Sequence, residues 1–279
     1  MRCLFFMMRE VTLQPGKNCT IIEILLERKA NKMKFYLTFS CVSQVILPVS
    51  YNHILQAALL NWLQDEQYTT FLHDVGFQKE HRVFKMYSFS ELQGNHYFDK
   101  KSQKLVFKDT VSVCISSYME EMEAYVKESL EAERPLRLGK VLLPIESAYL
   151  LEDVYEECMV QAISPITIHS TFELPTGTKK TYYYEPEEKD FSTMLRDNLV
   201  RKYKTVYDRE PENTSFAMVP LKDGSIKKRV VKYRDTVIIG WTGRFKMSGS
   251  PELLKMALLA GVGARNSMGF GCIVQIEES

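Results

Sequence analysis

The spacing of apolar residues changes repeatedly between the period of a strand and that of a helix, and this alternation constrains the fold most. Residues 33–41 alternate apolar and polar side chains, which is typical of a half-buried strand. Residues 51–63 carry an apolar stripe at helical spacing. Further segments are predicted as strands at 82–90 and 105–116, an amphipathic helix at 118–133 and a strand at 137–144. The order β-α-β-β-α-β is that of a ferredoxin-like module.

The second half repeats this order without visible sequence identity. It contains strand segments within 154–172 and at 179–184, a helix at 190–204, strands at 215–221, 227–233 and 236–247, a helix at 251–260 and a closing strand at 270–276. Ser250 and Pro251 supply the N-cap and first turn of the last helix. We therefore predict an α+β protein of two tandem ferredoxin-like domains, residues 33–145 and 146–279.

Residues 1–32 differ in character from the rest of the chain. Their short apolar run at 21–26 has no clear partner, whereas the regular pattern begins at Met33. We hypothesise that Met33 is the natural start and that residues 1–32 are an extension introduced by the gene prediction.

Composition limits the class of protein. Of the 279 residues, 45% are hydrophobic and 25% charged, which are globular values. The six cysteines form no C-x-x-C pair, so we expect reduced thiols in a cytoplasmic protein. Neither a membrane-spanning run nor a signal peptide is recognisable. The net charge of +1 means that a polyanionic partner would be held by local patches.

A glycine-rich segment, residues 260–271, lies between the last helix and the closing strand. It has neither the Lys-Ser/Thr ending of a phosphate-binding P-loop nor the spacing of a dinucleotide fingerprint. Glycines cost backbone entropy, so we expect them to permit close approach of another backbone or of an anion. The alternative is a tight structural turn.

Basic residues concentrate in the second half. A basic strand at 227–234 comes after the Asp223-Gly224 turn, and Arg196, Arg201, Lys202 and Lys204 lie on the preceding helix. Acidic residues cluster elsewhere, at 120–133. Charge runs are often merely solvated faces, but a basic helix, a basic strand and a glycine loop in one module favour nucleic-acid binding.

Several motifs together resemble one known family. They are the terminal Gly261-x-Gly-x-x-Asn-Ser-Met-Gly-Phe-Gly271, Leu47–Gln56, Phe84–Ser90, Ser164-Pro165-Ile166, and Phe191 with Asn198-Leu199 and Lys202-Tyr203. In order and spacing they resemble the Cas-six family of CRISPR repeat-processing endoribonucleases, in the repeat-associated ribonucleoprotein superfamily. Residues 1–32 have no counterpart in it.

The resemblance implies cleavage of CRISPR repeat RNA in a precursor transcript. The ribose 2′-OH attacks the adjacent phosphate and leaves a 2′,3′-cyclic phosphate and a 5′-OH, so neither a metal nor another cofactor is expected. His73 matches the family's catalytic histidine and is assigned general acid/base work. Lys85 matches its catalytic lysine and would hold the scissile phosphate.

One departure from the family concerns the second proton-transfer group. Leu60 stands where part of the family has a tyrosine, and it cannot transfer a proton. The candidates for that role are His53, which is carried forward as a tentative catalytic residue, with Tyr36, His81 and Tyr87. His96 and His169 are interpreted as structural.

The resemblance also assigns an RNA-binding set. It comprises Lys227, Lys228, Arg229, Lys232, Arg234, Gly261, Gly263, Arg265, Asn266, Ser267, Gly269 and Gly271. The expected partner is the repeat RNA as precursor and product, with effector-complex subunits and a second copy of the chain as further candidates. Two alternatives remain: a non-cleaving RNA-binding subunit, and an unrelated double ferredoxin-like protein that binds a small phosphate.

Overall fold

A computed structural model describes residues 34–79 and 82–277, without the side chains of His73, Asp74 and Lys79. The extension hypothesised at residues 1–32 and the candidate His81 lie outside the described residues.

Seventeen strands and five α-helices make up the described chain. The strands are β1 Lys34–Ser40, β2 Val45–Pro48, β3 Phe77–Lys79, β4 Arg82–Phe84, β5 Tyr87–Phe89, β6 Gln93–Asp99, β7 Lys104–Ser117, β8 Leu136–Leu138, β9 Val141–Leu143, β10 Ile145–Leu150, β11 Cys158–Ile166, β12 His169–Glu173, β13 Lys179–Tyr183, β14 Phe216–Pro220, β15 Lys227–Tyr233, β16 Thr236–Gly249 and β17 Ile273–Ile276. The helices are α1 Asn52–Leu63, α2 Glu66–Thr70, α3 Glu121–Glu131, α4 Lys189–Tyr207 and α5 Pro251–Ala260. A π-helical turn covers Phe71–Val75, and a 3-10 turn covers Asn266–Met268.

Two antiparallel sheets confirm the tandem ferredoxin-like fold. The first has the order β10-β1-β7-β2, and β5 and β6 also pair with β7. The second has the order β14-β16-β11-β17, with β15 on β16. In each sheet the first and third strands of the βαββαβ unit are central neighbours, as a ferredoxin-like module requires.

The prediction of one closing strand at 137–144 is wrong. These residues form a separate hairpin of β8 and β9, and the strand that closes the first sheet is β10, which pairs with β1. Turn residues Gly139 and Lys140 interrupt the apolar run and reverse the chain. The division between the two sheets therefore falls after Leu150 rather than near residue 145.

The predicted strand at 82–90 is interrupted. It divides into β4 and β5 at Lys85 and Met86, where Met86 adopts a left-handed backbone with φ of 54°.

Strand β6 was not predicted from the sequence, because its residues are mostly polar and exposed. An exposed strand lacks the apolar alternation that would reveal it.

Each sheet buries one face against its helices. Phe35, Leu37 and Phe39 of β1 pack with α1 and α3 in the first core, and Phe191 and Phe245 lie in the second. Among the described residues, none of the helices combines the length and apolar character needed to cross a membrane.

A buried ion pair fastens the inter-module segment to the first sheet. Lys34 Nζ lies 2.6 Å from Asp153 Oδ2, and the two side chains are 0% and 5% exposed. The Leu151 amide also donates to the Lys34 carbonyl oxygen at 2.9 Å. Burial raises the pKa of Asp153, and the Lys34 ammonium opposes that rise. The carboxylate therefore depends on its lysine to remain charged.

We predict that Lys34→Met destabilises the protein by ~3–5 kcal/mol, because it leaves a buried carboxylate without its cation. Urea unfolding followed by circular dichroism measures the loss. The double variant Lys34→Met/Asp153→Leu is the matched control and is expected to recover most of the stability. A single variant as stable as the wild type would contradict the assigned role of the pair.

Candidate functional site

The glycine-rich loop of residues 261–271 folds tightly upon itself and against β11. The Val262 amide donates to the Gly271 carbonyl oxygen, and the Gly271 amide donates to Pro165, each at 2.9 Å. Gly271 has a φ of +68°, and a Cβ there would overlap the Val262 carbonyl oxygen. Close approach of another backbone is thus one reason for glycine at this position.

The side chain of Asn266 holds the loop from inside. Its amide nitrogen donates to the carbonyl oxygens of Val262 and Phe270 at 3.0 and 3.1 Å. Its Oδ1 accepts from Lys202 Nζ at 2.7 Å, and the same ammonium donates to Gly261 at 2.6 Å. The amide group is therefore committed within the protein, so the predicted direct contact of Asn266 with phosphate is not what this geometry favours.

Lys202 does not lie on the basic helix face on which the sequence interpretation placed it. Only 2% of the side chain is exposed, and burial lowers the pKa of Lys202 to about 7. A sequence signal was available, since Phe191, Leu195 and Asn198 recur at helical spacing with position 202. The lysine belongs to the buried stripe of α4.

Helix α1 of the first module contacts the other side of the loop. Asn52 Nδ2 donates to the Met268 carbonyl oxygen at 3.1 Å. Gln56 accepts from the Tyr233 hydroxyl at 2.5 Å and donates to the Tyr87 hydroxyl at 3.3 Å. No role for Asn52 or Gln56 could be predicted, because polar residues on a helix give no sign of a partner so distant along the chain.

A cavity of about 240 Å³ opens between the loop and the β4–β5 connection. Arg82, Lys85, Arg265 and Ser267 contribute to its lining. With Lys202 the lining includes four basic residues, so the cavity is suited to an anion such as a phosphate. Lys85, Arg265 and Ser267, predicted from distant parts of the sequence, are thus brought together.

The π-helical turn that contains His73 ends beside Lys85. After this turn, β3 pairs antiparallel with β4, which leads the chain back to Lys85. Gly76, between the turn and β3, has a φ of +60°. A Cβ at Gly76 would lie only 2.8 Å from Cδ of Lys85, so glycine leaves room for the lysine stem. The backbone therefore brings the segment of His73 close to Lys85, and the His73 side chain lies outside the described part.

His53 lies on the α1 side of the loop. Its ring packs edge-on against Tyr233, with centroids 6.2 Å apart, and its Nδ1 is buried without a hydrogen-bond partner among the described residues. It does not line the cavity of Lys85. Its tentative catalytic assignment therefore gains no support from this placement.

The other proton-transfer candidates are also constrained. Burial raises the pKa of both Tyr36 and Tyr87, which makes the phenols poorer acids. Leu60 is 3% exposed and belongs to the first core. His96 is exposed on β6, whereas His169 lies within the electrostatic reach of Arg82 and Arg265.

The basic residues of β15 line a separate cleft between the modules. Its volume is about 750 Å³, and Lys228, Arg229 and Lys232 contribute to one wall. Arg229 is 3.1 Å from Glu91 of the first module. Lys227 is exposed, and Arg234 is at the following turn with a φ of 52°. The predicted RNA-binding residues thus fall into a loop group and a cleft group.

We predict that Lys202 makes stability rise with pH. Its folded pKa is about 7 and its ordinary value is 10.5, so between these values the unfolded chain binds one more proton. Unfolding free energy then increases by at most ~1.4 kcal/mol per pH unit, and the penalty is fully present below about pH 7.

Urea unfolding of the wild type and of Lys202→Met between pH 7.5 and 9.5 measures this slope. The variant is expected to show the smaller rise, because only the wild type has the buried amine. Equal slopes would show that Lys202 titrates in the folded protein as it does in water.

The sequence is similar to those of known Cas6 proteins. The sequence profile described as CRISPR associated protein Cas6, C-terminal, matches residues 150–274. The chain is 27% identical over 251 residues to CRISPR-associated endoribonuclease Cas6 1 of Methanocaldococcus jannaschii, covering 88% of this chain and 94% of that protein.

Solved structures of Cas6 proteins are also similar to this chain. One titled CRISPR associated protein Cas6 superposes with a TM-score of 0.70 at 26% identity, covering 88% of this chain and 100% of that one. A Cas6-related gene product of Pyrococcus furiosus has a TM-score of 0.74 at 20% identity, over 89% of this chain and 100% of that one, and supports the fold. Residues 150–274 thus match the Cas6 C-terminal family, and most of the chain is similar to Cas6 proteins of known sequence and structure.

Proposed function

We propose that the protein is an endoribonuclease that cleaves CRISPR repeat RNA in a precursor transcript. The curated relative that matches most of its length is named a CRISPR-associated endoribonuclease. The observation that carries the proposal is the basic cavity where Lys85, the glycine loop and the end of the His73 turn meet. Attack by the ribose 2′-OH would leave a 2′,3′-cyclic phosphate and a 5′-OH.

The reaction needs alignment, proton transfer and charge neutralisation. The nucleophile belongs to the RNA, so the protein has to align the 2′-OH, the phosphorus and the leaving oxygen. Lys85, a cavity-lining ammonium, would stabilise the negative charge that grows on the phosphorane. His73 would move the proton, since an imidazole with a pKa near ~6.5 suits transfer at neutral pH. This route uses no metal ion.

The rest of the repeat would be held by the cleft group. Lys228, Arg229 and Lys232 line a cleft of about 750 Å³ whose other wall belongs to the first module. Arg229 already pairs with Glu91, so RNA would compete with that carboxylate. Phosphate contacts of this kind make affinity fall with salt. Association with effector subunits or a second copy of the chain stays a prediction.

A non-cleaving RNA-binding subunit is the second candidate function. Leu60 favours it, because a buried leucine stands where part of the family has a tyrosine. Such a subunit would bind repeat RNA and leave it intact.

The test uses repeat RNA from the adjacent CRISPR array, incubated with excess protein in EDTA. We expect one cut that leaves a 2′,3′-cyclic phosphate, because the nucleophile is the RNA's own hydroxyl. RNA with a single 2′-deoxy substitution at the cut should bind and stay intact. Cutting of that substrate would overturn the mechanism, and binding of unmodified RNA without cutting would favour the second function.

We also predict that His73→Ala slows single-turnover cleavage by ~10²–10⁴-fold with repeat affinity near that of the wild type, because it removes one proton-transfer group. Lys85→Ala should likewise affect the rate more than affinity. Lys140→Ala, in the exposed turn between β8 and β9, is the matched control. Loss of affinity equal to the loss of rate would assign these residues to binding.

A further inference from the structure

Side chains from the two β-sheets meet in a small buried cluster that contains a pair of cysteines. On β7, Val113 belongs to the first core, so the next residue, Cys114, points to the other face of the sheet. At the start of β17, Ile273 belongs to the second core, and Cys272 points away from it for the same reason. Both cysteines are 0% exposed and share a cluster with Val274. Two thiols from different modules thus lie against each other.

Backbone hydrogen bonds fix the two cysteines relative to each other. The Ser90 amide donates to the Cys114 carbonyl oxygen at 2.9 Å, and the amide of the next residue, Glu91, donates to the Ile163 carbonyl oxygen at 3.1 Å. The Ile163 amide donates in turn to the Cys272 carbonyl oxygen at 3.0 Å. These bonds connect β7 with the residue that follows the glycine loop. The position of the two thiols is therefore set by the backbone and not by side-chain packing alone.

The two thiols have different surroundings. The Cys114 thiol donates a hydrogen bond to the Cys272 sulfur, and this bond is the main cause that lowers the pKa of Cys272. Burial opposes the effect, whereas the charge of Lys34 and hydrogen bonds with Ser88 and Ser116 support it. The bond between the thiols, and then burial, raise the pKa of Cys114. Because the thiolate is the nucleophilic form of cysteine, Cys272 is the attacking sulfur and Cys114 supplies the resolving thiol.

We propose that Cys114 and Cys272 are a site of reversible oxidation, at which hydrogen peroxide joins the two modules through a disulfide bond. The Cys272 sulfur attacks one peroxide oxygen, the O–O bond breaks, and a sulfenic acid and one water form. The Cys114 sulfur then attacks the Cys272 sulfur and displaces its hydroxyl group, which leaves as a second water with the Cys114 proton. The two thiols lose two electrons and two protons, and peroxide is reduced to two waters.

Burial decides which oxidant suits this pair. Since neither cysteine is exposed, a bulky oxidant cannot reach the sulfurs in the folded protein, whereas peroxide is little larger than water and enters through local opening. The other cysteines that the structure describes, Cys41 and Cys158, are partly exposed and pack against the separate cores. They serve as internal references for oxidation that depends on exposure alone. Thiol reductants reverse a disulfide, so the cross-link forms under oxidising conditions and is lost when they end.

The first experiment maps the cross-link in the folded full chain. The protein is treated with hydrogen peroxide, remaining thiols are blocked with N-ethylmaleimide in denaturant, and unreduced peptides are identified by mass spectrometry. We expect a peptide pair joined through Cys114 and Cys272, and dithiothreitol should restore both thiols. Cys158→Ser is the matched control and should form the same cross-link. Oxidation of Cys41 or Cys158 while both thiols of the pair remain free would overturn the proposal.

The second experiment identifies the attacking sulfur by the same mapping. In Cys114→Ser the sulfenic acid of Cys272 has no resolving thiol, so we expect it to proceed to the sulfinic acid. In Cys272→Ser the Cys114 thiol should remain free at the same peroxide concentration. Sulfinic acid at Cys114 in the second variant, with a free Cys272 thiol in the first, would overturn the assigned order of attack.

A third measurement uses the wild type alone, so it does not depend on how the variants fold. The oxidised protein should unfold at a higher urea concentration than the reduced protein, because a bond between segments distant in sequence restricts the unfolded chain. Dithiothreitol should abolish the difference. A lower midpoint after complete cross-linking would show that the bond distorts the interface, which contradicts the contact on which the proposal rests. None of these readouts uses RNA, so their failure would leave the proposed function intact.

Discussion

The buried side-chain nitrogen of Lys202 organises the part of the molecule on which the candidate site depends. It donates to the Gly261 carbonyl oxygen and to Asn266 Oδ1, and Asn266 in turn reaches Val262 and Phe270. A loop with several glycines would otherwise have many accessible conformations. The hydrogen bonds of Asn266 to both ends of the loop leave essentially one conformation. The cost is the burial of the Lys202 amine.

The same loop joins the two modules. Asn52 of α1 bonds to it from one side and Lys202 of α4 from the other. Gly76 lies close to the Lys85 side chain in one wall of the site, and Gly271 lies close to the Val262 carbonyl oxygen in the other. Neither position has room for a Cβ, so both require glycine. The cavity therefore exists only where both modules meet, and neither ferredoxin-like unit contains it alone.

Much of the fold was readable from the sequence. Alternation in β1 and the apolar stripes of α1 and α4 identified the elements, and their order gave the tandem ferredoxin-like arrangement. Strand β6 was missed because it is exposed, and β10 because an unexpected hairpin precedes it. Lys85, Arg265 and Ser267, which the motifs selected, lie around one cavity. The motifs gave no sign that the amide group of Asn266, which also lines this cavity, is committed to hydrogen bonds within the loop.

The sequence by itself determined much of the element order, the similarity to Cas6 proteins and the residue types available for chemistry, because periodicity and motif spacing are local properties of the chain. Only the tertiary structure decided that Lys202 is buried and that His53 does not line the cavity of Lys85. Burial and charge proximity depend on packing between segments distant in sequence. The physical state of each ionisable group was therefore fixed by the fold rather than by its neighbours along the chain.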